Sequence, residues 1–139
     1  MKLRFLGTAA AEGWPALFCN CENCKKARAL GGPDIRTRSQ SLVNDDLLID
    51  FPADTYMHVL QNGFDLSAIK IFLITHNHCD HFYPLDFGMR GGLFAHAQTV
   101  EKAKIVASED GIAEFHRVNN GRFAEEIASQ YTLIPIMNF

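Results

Sequence analysis

Between Ile74 and Phe82 the chain reads Thr75-His76-Asn77-His78-Cys79-Asp80-His81, with three imidazoles and a carboxylate inside six positions. Imidazole nitrogen and carboxylate oxygen together suit zinc, manganese or iron, and the geometry decides between them. In an extended segment, residues i and i+2 point the same way, so His76 and His78 can grip one ion. Asp80 and His81 follow where the chain turns, and can reach a second ion beside the first. Two ions about 3.5–4 Å apart can clamp both oxygens of a displacement. The plainer alternative is a polar surface loop with incidental histidines. Four donors packed behind an apolar strand weigh against it.

A second group of donors lies near the N-terminus. Cys19, Cys21 and Cys24 form C-x-C-x-x-C, three soft thiolates on a tight loop that suit a structural zinc with one further ligand. Small buried apolar cysteines are the competing reading. The fourth cysteine, Cys79, stands inside the histidine run and is read as a bystander.

These donors need a scaffold. KLRFLGT alternates apolar and polar residues and stops at Gly7, which predicts a first strand. NCKKARAL predicts a helix over 22–30, ending at glycine. SLVNDDLLIDF predicts a hairpin turning at Asn44-Asp45-Asp46, with LLIDF as a buried strand. DTYMHVLQ, followed by Asn62-Gly63, predicts a second helix. IKIFLIT has the pattern of a strand covered on both faces, and it delivers the chain to His76. Pro84 suits the opening turn of a helix. Beyond the Arg90-Gly91-Gly92 segment, KAKIVAS predicts a strand and Ser108 caps a helix, SEDGIAEFHRV. YTLIPIMNF closes the chain as a strand-like run. Strands alternating with helices predict a mixed α/β fold.

Composition narrows the function classes. The 139 residues are 47% hydrophobic and 21% charged, which suits one globular domain and not a disordered chain. A net charge of -3 argues against a broad nucleic-acid surface, although it leaves room for a local phosphate site. No run approaches the ~20 apolar residues of a membrane span, and no secretory signal opens the chain. Clustered cysteines without a disulfide spacing place it in a reducing cytoplasm.

His76-Asn77-His78-Cys79-Asp80-His81 resembles the H-x-H-x-D-H signature of the metallo-β-lactamase superfamily, and LLIDF with Asp50 resembles the strand and aspartate that precede it there. RFLGTAAAEGWP and the cysteine triplet resemble the branch holding the phosphoribosyl cyclic-phosphate phosphodiesterase, which is related to tRNA 3′-processing endonucleases. The resemblance implies an αββα sandwich, of which residues 1–139 form the N-terminal part. It implies two divalent ions (Zn, Mn or Fe), one on His76 and His78 and one on Asp80 and His81. The remaining ligands would come from later in the longer family chains. Asp80 would also orient the nucleophile, Asp50 would brace the metal loop near Thr75, and Cys19, Cys21 and Cys24 would hold a structural zinc. The implied function is hydrolysis of a small cyclic phosphate ester through a metal-bound hydroxide. Thioester, lactone or RNA-end hydrolysis and a non-catalytic metal-binding domain are the alternatives. A glycine that many members carry near Asp50 is replaced here by Phe51-Pro52. A chain closing on a bare apolar strand is expected to be part of a longer domain, inactive alone, and to self-associate through an uncovered sheet face.

Overall fold

The computed structural model describes residues 1–91 and 94–137. Gly92, Asn138 and Phe139, which fall within the predicted Gly-rich segment and closing strand, lie outside the described residues. Among the described residues six strands form one sheet in sequence order: β1 (Leu3–Gly7), β2 (Gln40–Val43), β3 (Leu47–Ile49), β4 (Ile71–Leu73), β5 (Ala103–Ser108) and β6 (Tyr131–Ile136). The β1/β2 and β2/β3 pairs are antiparallel, and the rest are parallel. The hairpin between β2 and β3 turns where predicted, with Asn44 (φ 51°) and Asp45 (φ 64°) in the left-handed region that these residue types tolerate.

Among the described residues four α-helices accompany the sheet: α1 (Glu22–Leu30), α2 (Thr55–Asn62), α3 (Glu109–Val118) and α4 (Ala124–Ser129). Gly63 ends α2 with φ 62°, and the Ser108 side chain accepts from Gly111 N at the start of α3. Pro84–Arg90 is a 3-10 helix with proline in its first turn. Residues 124–129 had no helical signature, because AEEIAS is too short to display a period; packing of Ile127 on the core supplies what local preference lacks.

The strand register sorts the side chains cleanly. Leu42, Leu48, Phe72 and Ile105 follow one another across the sheet on one face and are all buried. The core over this face includes Phe51, Phe87, Phe115 and Tyr131, with ring centroids 4.2 Å apart for Phe51/Phe87 and 5.3 Å for Phe87/Tyr131. Aromatic burial on this scale dominates core energetics. The opposite face carries Leu3, Phe5, Val43, Leu47, Ile49, Ile71, Leu73, Val106 and Ile134, and every one is half-buried or exposed. The expectation that IKIFLIT is covered on both faces therefore holds for one face only, and LLIDF is likewise buried on that face alone. Their second face is apolar as well, and among the described residues its strand side chains are only half-buried.

Candidate metal centre

β4 ends at Leu73, and Ile74 extends its pairing through one bond, Ile74 N donating to Val106 O at 2.8 Å. The chain then leaves the sheet as the loop carrying His76, His78, Asp80 and His81. A tight turn closes the loop, with His81 N and Phe82 N both donating to His78 O at 2.9 and 2.8 Å. Phe82, 1% exposed, anchors the far end in the core, and Phe51 clasps it through Phe51 N to His81 O and Tyr83 N to Phe51 O, each 2.7 Å. A buried strand and a buried aromatic thus fix both ends while the middle faces outward. His78 and Cys79 are exposed, and His76, Asp80 and His81 are half-buried.

The loop sets the predicted donors side by side, less tightly gathered than the cysteine thiols. The His76 ring lies 4.8 Å from the His78 ring and 4.1 Å from the His81 ring, between centroids. Asp80 Oδ2 is 3.5 Å from His81 Nε2.

Asp50 sits beneath them, 4% exposed and at φ 62°. Its backbone swings the carboxylate off the end of β3 toward the loop. Oδ1 accepts from Thr75 N and from Thr75 Oγ1, both at 2.8 Å, and Oδ2 faces His81 Nδ1 at 2.7 Å. A carboxylate accepts, so His81 Nδ1 carries the proton and its Nε2 presents a lone pair on the side of Asp80. Thr75 has one hydroxyl proton, and it goes to Asp50. The contact between Thr75 Oγ1 and His76 Nδ1, 3.0 Å, therefore needs the proton on His76 Nδ1. Both imidazoles are thus held as Nδ1–H tautomers with Nε2 available to an ion. Carboxylate or hydroxyl partners on the second nitrogen are the usual way in which a ligating histidine is oriented. The donor set and its proton arrangement fit divalent metal.

The thiols of Cys19, Cys21 and Cys24 lie with all three Sγ atoms within 4.8 Å of one another, the one such group of donors among the described residues. Cys24 is buried, Cys19 is partly so and Cys21 is exposed at the N-cap of α1. Bonding from the Cys24 backbone and from the Cys19 thiol lowers the Cys21 thiol to about 7, as amides at a helix N-terminus favour a thiolate. Arg28 adds a bond to the Cys19 carbonyl and closes the loop. Three gathered donors with one easily ionised thiol fit zinc.

Other residues fall elsewhere. Arg90 donates to Val100 O and lies 5.7 Å from the Tyr131 ring centroid. His96 and His116 are exposed. His58 is fully buried in a polar network with Thr37, Gln40 and Thr55 that nothing in the sequence disclosed.

No family model matches the sequence, and no curated protein matches it. Solved structures do match the fold. A diphosphatase of the PhnP family superposes with a TM-score of 0.67 at 22% identity, covering 97% of this chain and 50% of that one. Zinc-bound PqqB from Methylobacterium extorquens gives 0.70 at 23% identity, over 97% of this chain and 49% of its own. The short form of human tRNase Z, ELAC1, gives 0.62 at 19% identity, over 98% and 46%. All three are metallo-β-lactamase superfamily proteins.

This chain has the metallo-β-lactamase fold.

It spans about half the length of each of these structures. In the metallo-β-lactamase arrangement seen here, the sheet and the Asp50 turn hold up the histidine loop from one side, and the cysteine triplet stands apart on its own turn.

Proposed function

We propose that this chain carries the metal-binding half of a metal-dependent hydrolase that cleaves small phosphate esters. The observation that carries the reading is the pair of contacts from Thr75 Oγ1 to His76 Nδ1 and from Asp50 Oδ2 to His81 Nδ1, which leaves both Nε2 atoms for an ion beside His78 and Asp80. His76 and His78 would hold one divalent ion, and Asp80 and His81 a second. When bound, such ions lower the pKa of water and neutralise charge on phosphoryl oxygens. Asp80 would orient the attacking water by accepting its hydrogen bond, and Asp50 would keep the imidazoles from rotating away. The naming of one structural neighbour as a diphosphatase, and the net charge of -3 without a basic arm, favour a small phosphate ester over a nucleic acid. Cys19, Cys21 and Cys24 would hold a structural zinc.

Two donors for each ion fall short of the four that zinc takes. These residues alone are therefore proposed to turn over slowly, the remaining ligands coming from outside the loop. The test is hydrolysis of bis(p-nitrophenyl) phosphate with added zinc or manganese, comparing the chain with its His78→Ala variant. Low turnover that falls further in the variant supports the reading, and turnover that the substitution leaves unchanged overturns it.

A further inference from the structure

We propose that His58 is a positioning residue that, through Gln40, fixes the Asp50 turn on which the histidine loop rests. Gln40 and His58 are 1% and 0% exposed, so every polar atom on them needs a partner inside the protein. The Gln40 amide nitrogen donates to the Asp50 carbonyl at 3.0 Å and to Thr55 Oγ1 at 2.9 Å, and Thr55 passes its own proton to Pro52 O at 2.6 Å. Turning the Gln40 amide over would set its oxygen against the Asp50 carbonyl, two acceptors with no proton between them. Its Oε1 therefore faces His58 Nδ1, 2.6 Å away, and His58 must donate there. On the other side of the ring, Thr37 Oγ1 lies 2.6 Å from Nε2. With the imidazole neutral, Nε2 accepts and Thr37 donates. Every proton in the chain from Thr37 to Pro52 then has one place.

The consequence lies at Asp50. Its N–H is tied to Leu73 O at 2.9 Å and its carbonyl to Gln40, so both ends of a residue at φ 62° are held. A non-glycine residue persists in that region when its surroundings over-determine it. Without the Gln40 bond the peptide after Asp50 is held on one side only, by Phe51 N donating to His81 O, and the aim of the carboxylate at Thr75 and His81 loosens. His58 keeps Gln40 in the one orientation that can make that bond. The positioning itself needs no ion; its effect on metal affinity rests on the function proposed above.

The experiment is done on the metal-free 139-residue chain, so that it cannot fail for want of a metal site. Hydrogen exchange is read at the Thr75 amide, which Asp50 Oδ1 accepts, relative to the Ile74 amide, which bonds to β5 instead. Gln40→Met and His58→Leu should speed Thr75 exchange relative to Ile74 by about tenfold, the order expected for losing one buried hydrogen bond. His58→Asn keeps a donor at the Nδ1 position and should hold the ratio near that of the unsubstituted chain. A general loosening of the fold would speed both amides together. Thr75 exchange that stays level with Ile74 in folded Gln40→Met overturns the proposal. Should the substituted chains not fold, 15N spectra of the unsubstituted one decide: His58 as the Nδ1–H tautomer supports the proposal, and the Nε2–H tautomer overturns it.

Discussion

The two groups of metal-ligand residue types in this chain are built on opposite plans. The thiols of Cys19, Cys21 and Cys24 converge within 4.8 Å of one another by local means, a short loop, the first turn of α1 and one arginine. The donors of the histidine loop are spread along a segment that is half-buried at His76, Asp80 and His81 and exposed at His78, and their order comes from residues distant in sequence. Asp50 reaches across 25 positions to Thr75 and 31 to His81, and Gln40 supports Asp50 from a neighbouring strand. A site made of nearby residues can form whenever its turn forms. A site braced by distant residues exists only when the sheet is assembled. The cysteines therefore report on local structure and the histidine loop on the whole fold.

Substituting the brace should separate the two plans most sharply. Asp50→Ala removes the partner of both Thr75 and His81 Nδ1, and loss of such an outer partner lowers metal affinity by about 10–100-fold. Zinc titration should record that loss at the histidine loop with the cysteine site unaltered. Equal losses at both would erase the distinction. Cys21→Ser is the reciprocal case. It should release about one zinc and lower the melting temperature, since a structural site contributes folding energy. Unchanged zinc content and melting would return the triplet to the role of buried apolar thiols. Without zinc, alkylation of Cys21 should rise with pH to a midpoint near 7, because bonding from Cys24 and Cys19 favours its thiolate.

The open sheet face gives a further contrast, between a satisfied polar brace and an unsatisfied apolar surface. Phe5 is 69% exposed and Leu3 47% exposed at one margin of a face whose centre is Leu47, Ile49, Ile71 and Leu73. Wet apolar surface costs about 25 cal/mol for each Å². Sedimentation of the 139-residue chain should reveal self-association that Val106→Lys diminishes, and a monomer at all concentrations would argue otherwise.

The smallest effect concerns pH. Burial holds the His58 imidazole below its usual range, against the opposing pull of Asp54. Folded protein then binds fewer protons there than unfolded protein, so stability present above about 6.5 is lost as pH falls below it. Melting of the metal-free chain from pH 8 to pH 5 should decline, and His58→Asn should flatten that decline. An unchanged slope would remove His58 from the balance.

Much of this architecture was legible in the residues. Strand and helix patterns placed β1 to β6 and three of the four helices, since period and capping are local signals. Three imidazoles and a carboxylate in a row stood out for the same reason. The one-sided burial of β3 and β4 was not legible, because Leu47 and Ile49 are as apolar as Leu48 and only the third dimension says which is covered. Nor was the Thr37–His58–Gln40 chain, whose members look like ordinary polar residues until the fold brings them within 2.6 Å. The contacts of Arg90 were hidden for a related reason: its guanidinium meets Tyr131 and the Val100 carbonyl, on segments that share no local pattern.

The central claim is that His76, His78, Asp80 and His81 bind divalent metal. Metal content after exhaustive dialysis, measured for the unsubstituted chain and for His76→Ala/His78→Ala, tests it most directly. The double variant should retain the metal held by the cysteines and lose what the histidine loop holds; equal metal in both proteins would contradict the claim.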